Sequence, residues 1–285
     1  MFLGLLDNVF IQMALWACLL ASVASGVIGS FVVVKRISFI AGSIAHSILG
    51  GMGLFLWLKR AHGFTSLDPI WGAFLSAIGS ALILGYVHLN YREREDATIA
   101  AIWATGMALG MIFISLTPGK NVELMNYLFG NILWIDHGDL IRLAVLNTAI
   151  VSIVIFKYRK FLALCFDEEQ AFLQGVHVQR LYLFLLSLVA ISIVLLMQII
   201  GTILVIAMLT IPATLASLFT QSFKVMMILA VVCSSFFSVF GLLTSSILNW
   251  PPSATIALLS AASYILCLPL KKKKNSLKRL KSLSN

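Results

Sequence analysis

The sequence predicts an all-α integral membrane protein, a polytopic bundle of about eight to nine transmembrane helices. Composition is the first observation: 60% of the 285 residues are hydrophobic, only 11% are charged, and the mean hydropathy is +1.01, well beyond what a soluble domain needs to bury a core. The second is that the charges fall between the apolar runs rather than inside them. The third is that the runs are long enough to cross a hydrocarbon core about 30 Å thick. Helices follow because backbone groups in lipid must be satisfied within each segment.

The runs lie at 10–34, 37–58, 70–89, 98–116, 139–157, 181–199, 201–219, 224–247 and 253–270. The first has no basic flank and no small-residue cleavage site, so it reads as a helix and not as a signal peptide. Ser22, Gly26 and Ser30 recur every fourth residue in it, and Gly106 and Gly110 do the same in the fourth run. Such spacing marks seams where helix backbones approach closely, as association in lipid requires. The run 201–219 contains Pro212, which removes a helix hydrogen bond, so a broken or half-spanning helix is expected there. Between runs, 117–138 contains "NYLFGNILWI", too short to cross and too apolar for a solvated loop. A re-entrant or surface-lying piece is expected.

Residues 1–270 therefore read as one transmembrane domain, with the longest connection at about 158–180 and a basic tail at 271–285. If Lys35 and Arg36 are cytoplasmic, alternation places sixteen Lys and Arg on that side and four on the other, Lys59, Arg60, Lys120 and Arg142. That bias puts the N-terminus outside and the C-terminus in the cytoplasm. The net charge of +9 is then the electrostatics of a membrane face, not of nucleic-acid binding. Cys18, Cys165, Cys233 and Cys267 are scattered without metal or disulfide spacing and read as small apolar side chains.

Enzyme signatures do not occur: there is no H-E-x-x-H, G-x-S-x-G, G-x-x-x-x-G-K-[ST] or helix-opening G-x-G-x-x-G. All eleven Asp and Glu fall outside the interiors of the spanning runs, which counts against a proton- or sodium-coupled carrier. What remains at depth is His46, in "SFIAGSIAHSILGGMGLFLW". Positions 42, 46, 49, 50 and 53 share a helix face and read Gly, His, Leu, Gly, Gly, so the face around the imidazole is nearly bare. Two readings stand: a histidine bonded to a backbone carbonyl, or a ligand on a path for zinc or another first-row divalent cation. His62 and His137, in external loops, are candidates for gathering cations at an entrance. His88 reads as a polar tip at a helix end and His177 as surface.

In the 158–180 connection, "DEEQAFLQG" predicts a short helix, capped by Asp167 with Gln170 three positions on and closed at Gly175. Acidic residues in its first turn suit the helix dipole. Phe172 and Leu173 offer an apolar knob, for a groove on a soluble partner or for the membrane surface.

Together, "VVVKRISFIAGSIAHSILGG", "REREDATIAAIWATGMALGMIF", "YLFGNIL", "FDEEQAFLQGV" and "QIIGTILVIAMLTIPATLASLF" resemble the ABC-3 family, the membrane permeases of importers for zinc, manganese or iron. The resemblance covers nearly the whole chain. It implies an architecture similar to the vitamin B12-type, or type II, importer permease in a bacterial inner membrane. Two permeases, identical or paralogous, would pair around a central path, an extracytoplasmic binding protein would deliver the metal, and a cytoplasmic ATP-binding subunit would use ATP to drive transport. The chain itself would hold no cofactor and have no enzymatic site. His46 matches the metal-path histidine, and Asp167, Glu168, Glu169, Phe172 and Gly175 match the helix that couples to the ATPase. Two departures stand out. Many members carry an aspartate four residues before the histidine, where this chain has Gly42, so Ser43, a carbonyl or a second copy's His46 must complete the site. Glu168 stands where the family usually has proline, which should alter the start of the helix more than its docking surface. The alternatives are a permease for a B12- or siderophore-type chelate, disfavoured by the shorter chain and internal motifs, and a cation channel or exchanger needing no ATPase. An intramembrane hydrolase lacks a nucleophile and base.

Overall fold

The computed structural model describes residues 9–91, 95–119, 130 and 132–283, with side chains described to residue 269. Its elements are α1 (Val9–Val34), α2 (Ser38–Ala61), α3 (Pro69–Asn90), α4 (Glu95–Leu116), a 3-10 turn (Ile132–Trp134), α5 (His137–Phe166), α6 (Glu168–Leu173), α7 (Val178–Phe219), α8 (Phe223–Leu248) and α9 (Pro252–Leu283). Among the described residues eight helices, all but α6, are long and apolar enough to cross a membrane.

The expected runs 181–199 and 201–219 are the two limbs of α7, which meet without a loop. The backbone leaves helical geometry at Gly201 (φ 79°, ψ 160°), a region that only glycine enters cheaply. Both ends of α7 lie at one end of the bundle. Tyr182 lies beside the Lys35 ammonium, and Phe223, four residues past the far end, packs on Phe31 with ring centroids 5.0 Å apart. The chain thus folds back at Gly201. The break falls there rather than at Pro212, which stays helical because its fixed φ is a helical one and only one hydrogen bond is lost. Gly130 (φ +78°) covers the turn; a Cβ on it would lie 2.5 Å from the Ile200 carbonyl carbon. Most of the expected re-entrant piece, 120–129 and 131, lies outside the described residues.

Seams of small residues hold the rest together. Along α1 and α8, Ser22 meets Ser238 at 3.2 Å and Ser25 meets Ser234 at 3.0 Å. Between them, a Cβ on Gly26 would lie 2.6 Å from the Val231 nitrogen. Asn147 of α5 donates to the Leu20 carbonyl at 2.8 Å. On α2, Gly50 and Gly53 admit Gly106 and Gly110 of α4, while Gly51 lies against Gly72 of α3. These contacts need glycine, since hydrocarbon offers helices no apolar driving force and association rests on close approach.

Candidate functional site

The bare face of α2 is taken up by α4, which brings Trp103 against His46. Its imidazole stacks on the Trp103 indole with centroids 4.3 Å apart and planes 13° from parallel, near the offset geometry aromatic pairs prefer. Trp103 is steadied in turn by its own helix, its Nε1 donating to Met107 Sδ at 3.2 Å. His46 is half-buried, and its Nδ1 is buried with no hydrogen-bond partner among the described residues. The backbone-carbonyl bond of the first sequence reading is thus not made through Nδ1.

Ser43 is fully buried and donates its hydroxyl proton to the Ile99 carbonyl of α4 at 3.0 Å. Only its lone pairs remain for another group. At Gly42 the nearest atom to a Cβ would be Trp103 Cζ3, at 3.8 Å. The indole occupies the side toward which a side chain at 42 would point. Among the described residues no three His, Cys, Asp or Glu side chains gather as a metal cluster. One chain therefore offers an imidazole nitrogen beside an aromatic wall.

His62 and His137 stand at the bundle end opposite α6, both exposed. His62 ends α2 with its ring edge-on to Trp57 at 4.4 Å. His137 opens α5. Just before it, Asp136 caps α5 by accepting from the Asp139 backbone N–H at 2.7 Å. That bond holds the Asp136 carboxyl below the usual aspartate range.

At the other end, α6 is closed at both termini. Asp167 accepts from the Gln170 N–H at 2.8 Å. Gly175, at φ +77°, donates to the Phe172 carbonyl at 2.9 Å, and Val176 donates to the Ala171 carbonyl at 3.0 Å, the pairing of a Schellman stop. Ala171 is buried, while Phe172 and Leu173 are 72% and 83% exposed. Clefts of about 740 Å³ and 710 Å³ flank the helix. The first is lined by Phe172, Leu173, Glu168 and Glu169, with Arg180 and Val178 of α7. The second is lined by Asp167, Gln170 and Phe166, with Tyr158, Arg159 and Lys224.

The predicted residues of this helix do different work. Asp167 and Gly175 are spent on the caps. Glu168 turns inward to pair with Lys35, whose Nζ also donates to the Leu164 carbonyl at 3.0 Å. Phe172 faces out. Sequence reasoning missed Trp103 and Lys35. Trp103 precedes Gly106 by three residues, on the seam face, so its approach to α2 was signalled by spacing. Nothing local tied Lys35 to Glu168, 133 residues away.

The sequence matches the ABC 3 transport family over residues 7–271. It is 45% identical over 260 residues to the "Probable metal transport system membrane protein" of Chlamydia pneumoniae, covering 91% of this chain and 88% of that one. It is 30% identical over 275 residues to the manganese transport system membrane protein MntC of Halalkalibacterium halodurans, covering 96% and 92%. The solved structure of PsaBC from Streptococcus pneumoniae, in complex with Fab, is similar with a TM-score of 0.80 at 28% identity, over 92% of each chain.

Proposed function

This chain belongs to the ABC 3 transport family, and we propose that it is the permease of an importer that carries divalent metal ions into the cytoplasm, powered by a separate ATPase. It is a multi-pass membrane protein. The α6 end faces the cytoplasm, because Lys35, Arg36, Lys157, Arg159, Lys160, Arg180 and Lys224 cluster there. The cargo is zinc, manganese or iron. Relatives named for metal and manganese transport support that class, and an imidazole suits all three ions.

The observation that carries the reading is α6. A six-residue helix closed at both ends holds two large apolar side chains out between two clefts. Exposed aromatic and aliphatic side chains on a rigid base are what a partner's groove binds. The ATP-binding subunit supplies that groove, and closure of two such subunits moves α6 and the helices behind it. Metal delivered outside by a binding protein, past His62 and His137, is held briefly at His46 and at the same residue of a second permease. The hold is weak enough for release, as conduction demands.

Co-purification with the ATP-binding subunit, with ATP-driven metal uptake measured beside it, tests the assignment. Phe172→Asp puts a charge where the partner's groove must be apolar, and it is expected to abolish ATPase capture while the permease stays folded. Undiminished capture by that variant would refute α6 as the docking element.

A further inference from the structure

At the α6 end, five side chains from four helices and the turn after α1 meet in sequence. Glu168 of α6 pairs with Lys35, which follows α1. The Lys35 ammonium lies 5.6 Å from the ring centroid of Tyr182 on α7. The Tyr182 ring stacks on His88 of α3 at 4.9 Å, with planes 26° apart. His88 Nδ1 lies 2.9 Å from a carboxylate oxygen of Glu95, the first residue of α4, at ion-pair distance though not aligned as a hydrogen bond. Tyr182 is only 1% exposed, so the middle of this series is shut away from water. Charge and ring interactions strengthen where water is excluded.

The far end of the series matters because of what α4 carries. Its described buried residues are Ile99, Gly106 and Gly110, so the helix is held along one narrow seam. Trp103, which stacks on His46, stands between those positions. Glu95 opens α4, so a change in its pairing with His88 acts on the N-terminal end of that helix.

We infer that Glu168, Lys35, Tyr182, His88 and Glu95 form a relay that passes the movement of α6 to α4, and so to the Trp103 wall over His46. They are positioning residues: none needs to touch the metal or the ATPase. This rests on the proposed function, since a relay from α6 has a purpose only if an ATPase moves α6. Glu168 thereby takes the inner end of the coupling helix, and Phe172 and Leu173 its outer end.

The test is metal moved per ATP hydrolysed, in proteoliposomes holding the permease, its ATP-binding subunit and its binding protein, with Mn²⁺ and Zn²⁺ as probes. Glu168→Gln and Glu95→Gln keep shape and remove charge. Each is expected to lower the ratio about fivefold, the order expected of residues that carry part of a coupling energy. In Glu95→Gln, which lies off the docking helix, ATPase co-purification should stay at the wild-type level, which a general loss of folding would not allow. The double variant should fall no further than either single one, because both cut the same line. Losses that multiply would overturn the relay, as would a wild-type ratio in either single variant. Glu95→Asp, which keeps the charge, should recover most of the ratio; no recovery would also count against it. If the wild-type permease fails to capture the ATPase at all, the proposed function falls and the relay with it. If capture is normal and the two glutamates act independently, the relay alone falls.

Discussion

At the scale of single residues, the proposed path rests on an imidazole held by stacking, with Nδ1 free of a hydrogen-bond partner among the described residues. An imidazole kept at membrane depth has to justify its desolvation, and a ligand role does so. His46→Ala is expected to lower metal uptake about tenfold or more, roughly the loss of one good ligand interaction, while ATP-binding-subunit capture is unchanged. Uptake and capture measured on one preparation check both halves. The position of His46 was legible in sequence because a histidine amid glycines in an uncharged run is conspicuous. Its surroundings were legible only in part: the bare face admits a neighbouring helix or an ion, and only the fold shows that α4 takes it with Trp103 against the ring. A second prediction concerns Asp136. Its carboxyl is held below the usual aspartate range chiefly by the Asp139 N–H, and this cap sits outside the spanning region. A lowered native value means that the cap's contribution is fully present above the unfolded value and is lost as pH falls through the native one. Acid titration of thermal stability should therefore show a loss below about pH 4 that is missing in Asp136→Asn, which keeps a neutral acceptor.

At the scale of elements, the apolar runs were read correctly wherever length and composition decide, as they do for spanning helices. The caps of α6 were legible for a similar reason, because Asp167 and Gly175 satisfy backbone groups within a few residues of themselves. The boundary between the runs 181–199 and 201–219 coincides with the turn at Gly201, while the further break expected at Pro212 is not made, since proline advertises itself in a sequence but its φ suits a helix. Gly201→Ala should cost about 1–3 kcal/mol, because the backbone there is nearly closed to residues with a Cβ. Unfolding of the detergent-solubilised protein would measure it. An unchanged midpoint would mean that the two limbs do not turn on this residue. The seam between α1 and α8 is as demanding. Gly26→Val is expected to destabilise by about 1–3 kcal/mol through overpacking against the Val231 backbone, a loss visible in the same assay.

At the scale of the whole molecule, the bundle puts the two proposed sites at different depths. α6 projects from one end, His46 lies within the α2–α4 seam, and the exposed histidines mark the opposite end. The class of molecule was legible because hydropathy and charge segregation are properties of the entire chain. The long-range pairing of Lys35 with Glu168, which ties α6 to the bundle, was not, because 133 residues, α2 to α5 among them, separate the partners in the chain. The central claim is that metal moves through this chain only when a partner hydrolyses ATP. Accumulation of Mn²⁺ or Zn²⁺ in proteoliposomes, with and without the ATP-binding subunit and ATP, tests it most directly. Accumulation against a gradient is expected only when both are present. Equal uptake by the permease alone would contradict the account and make the chain a channel or exchanger.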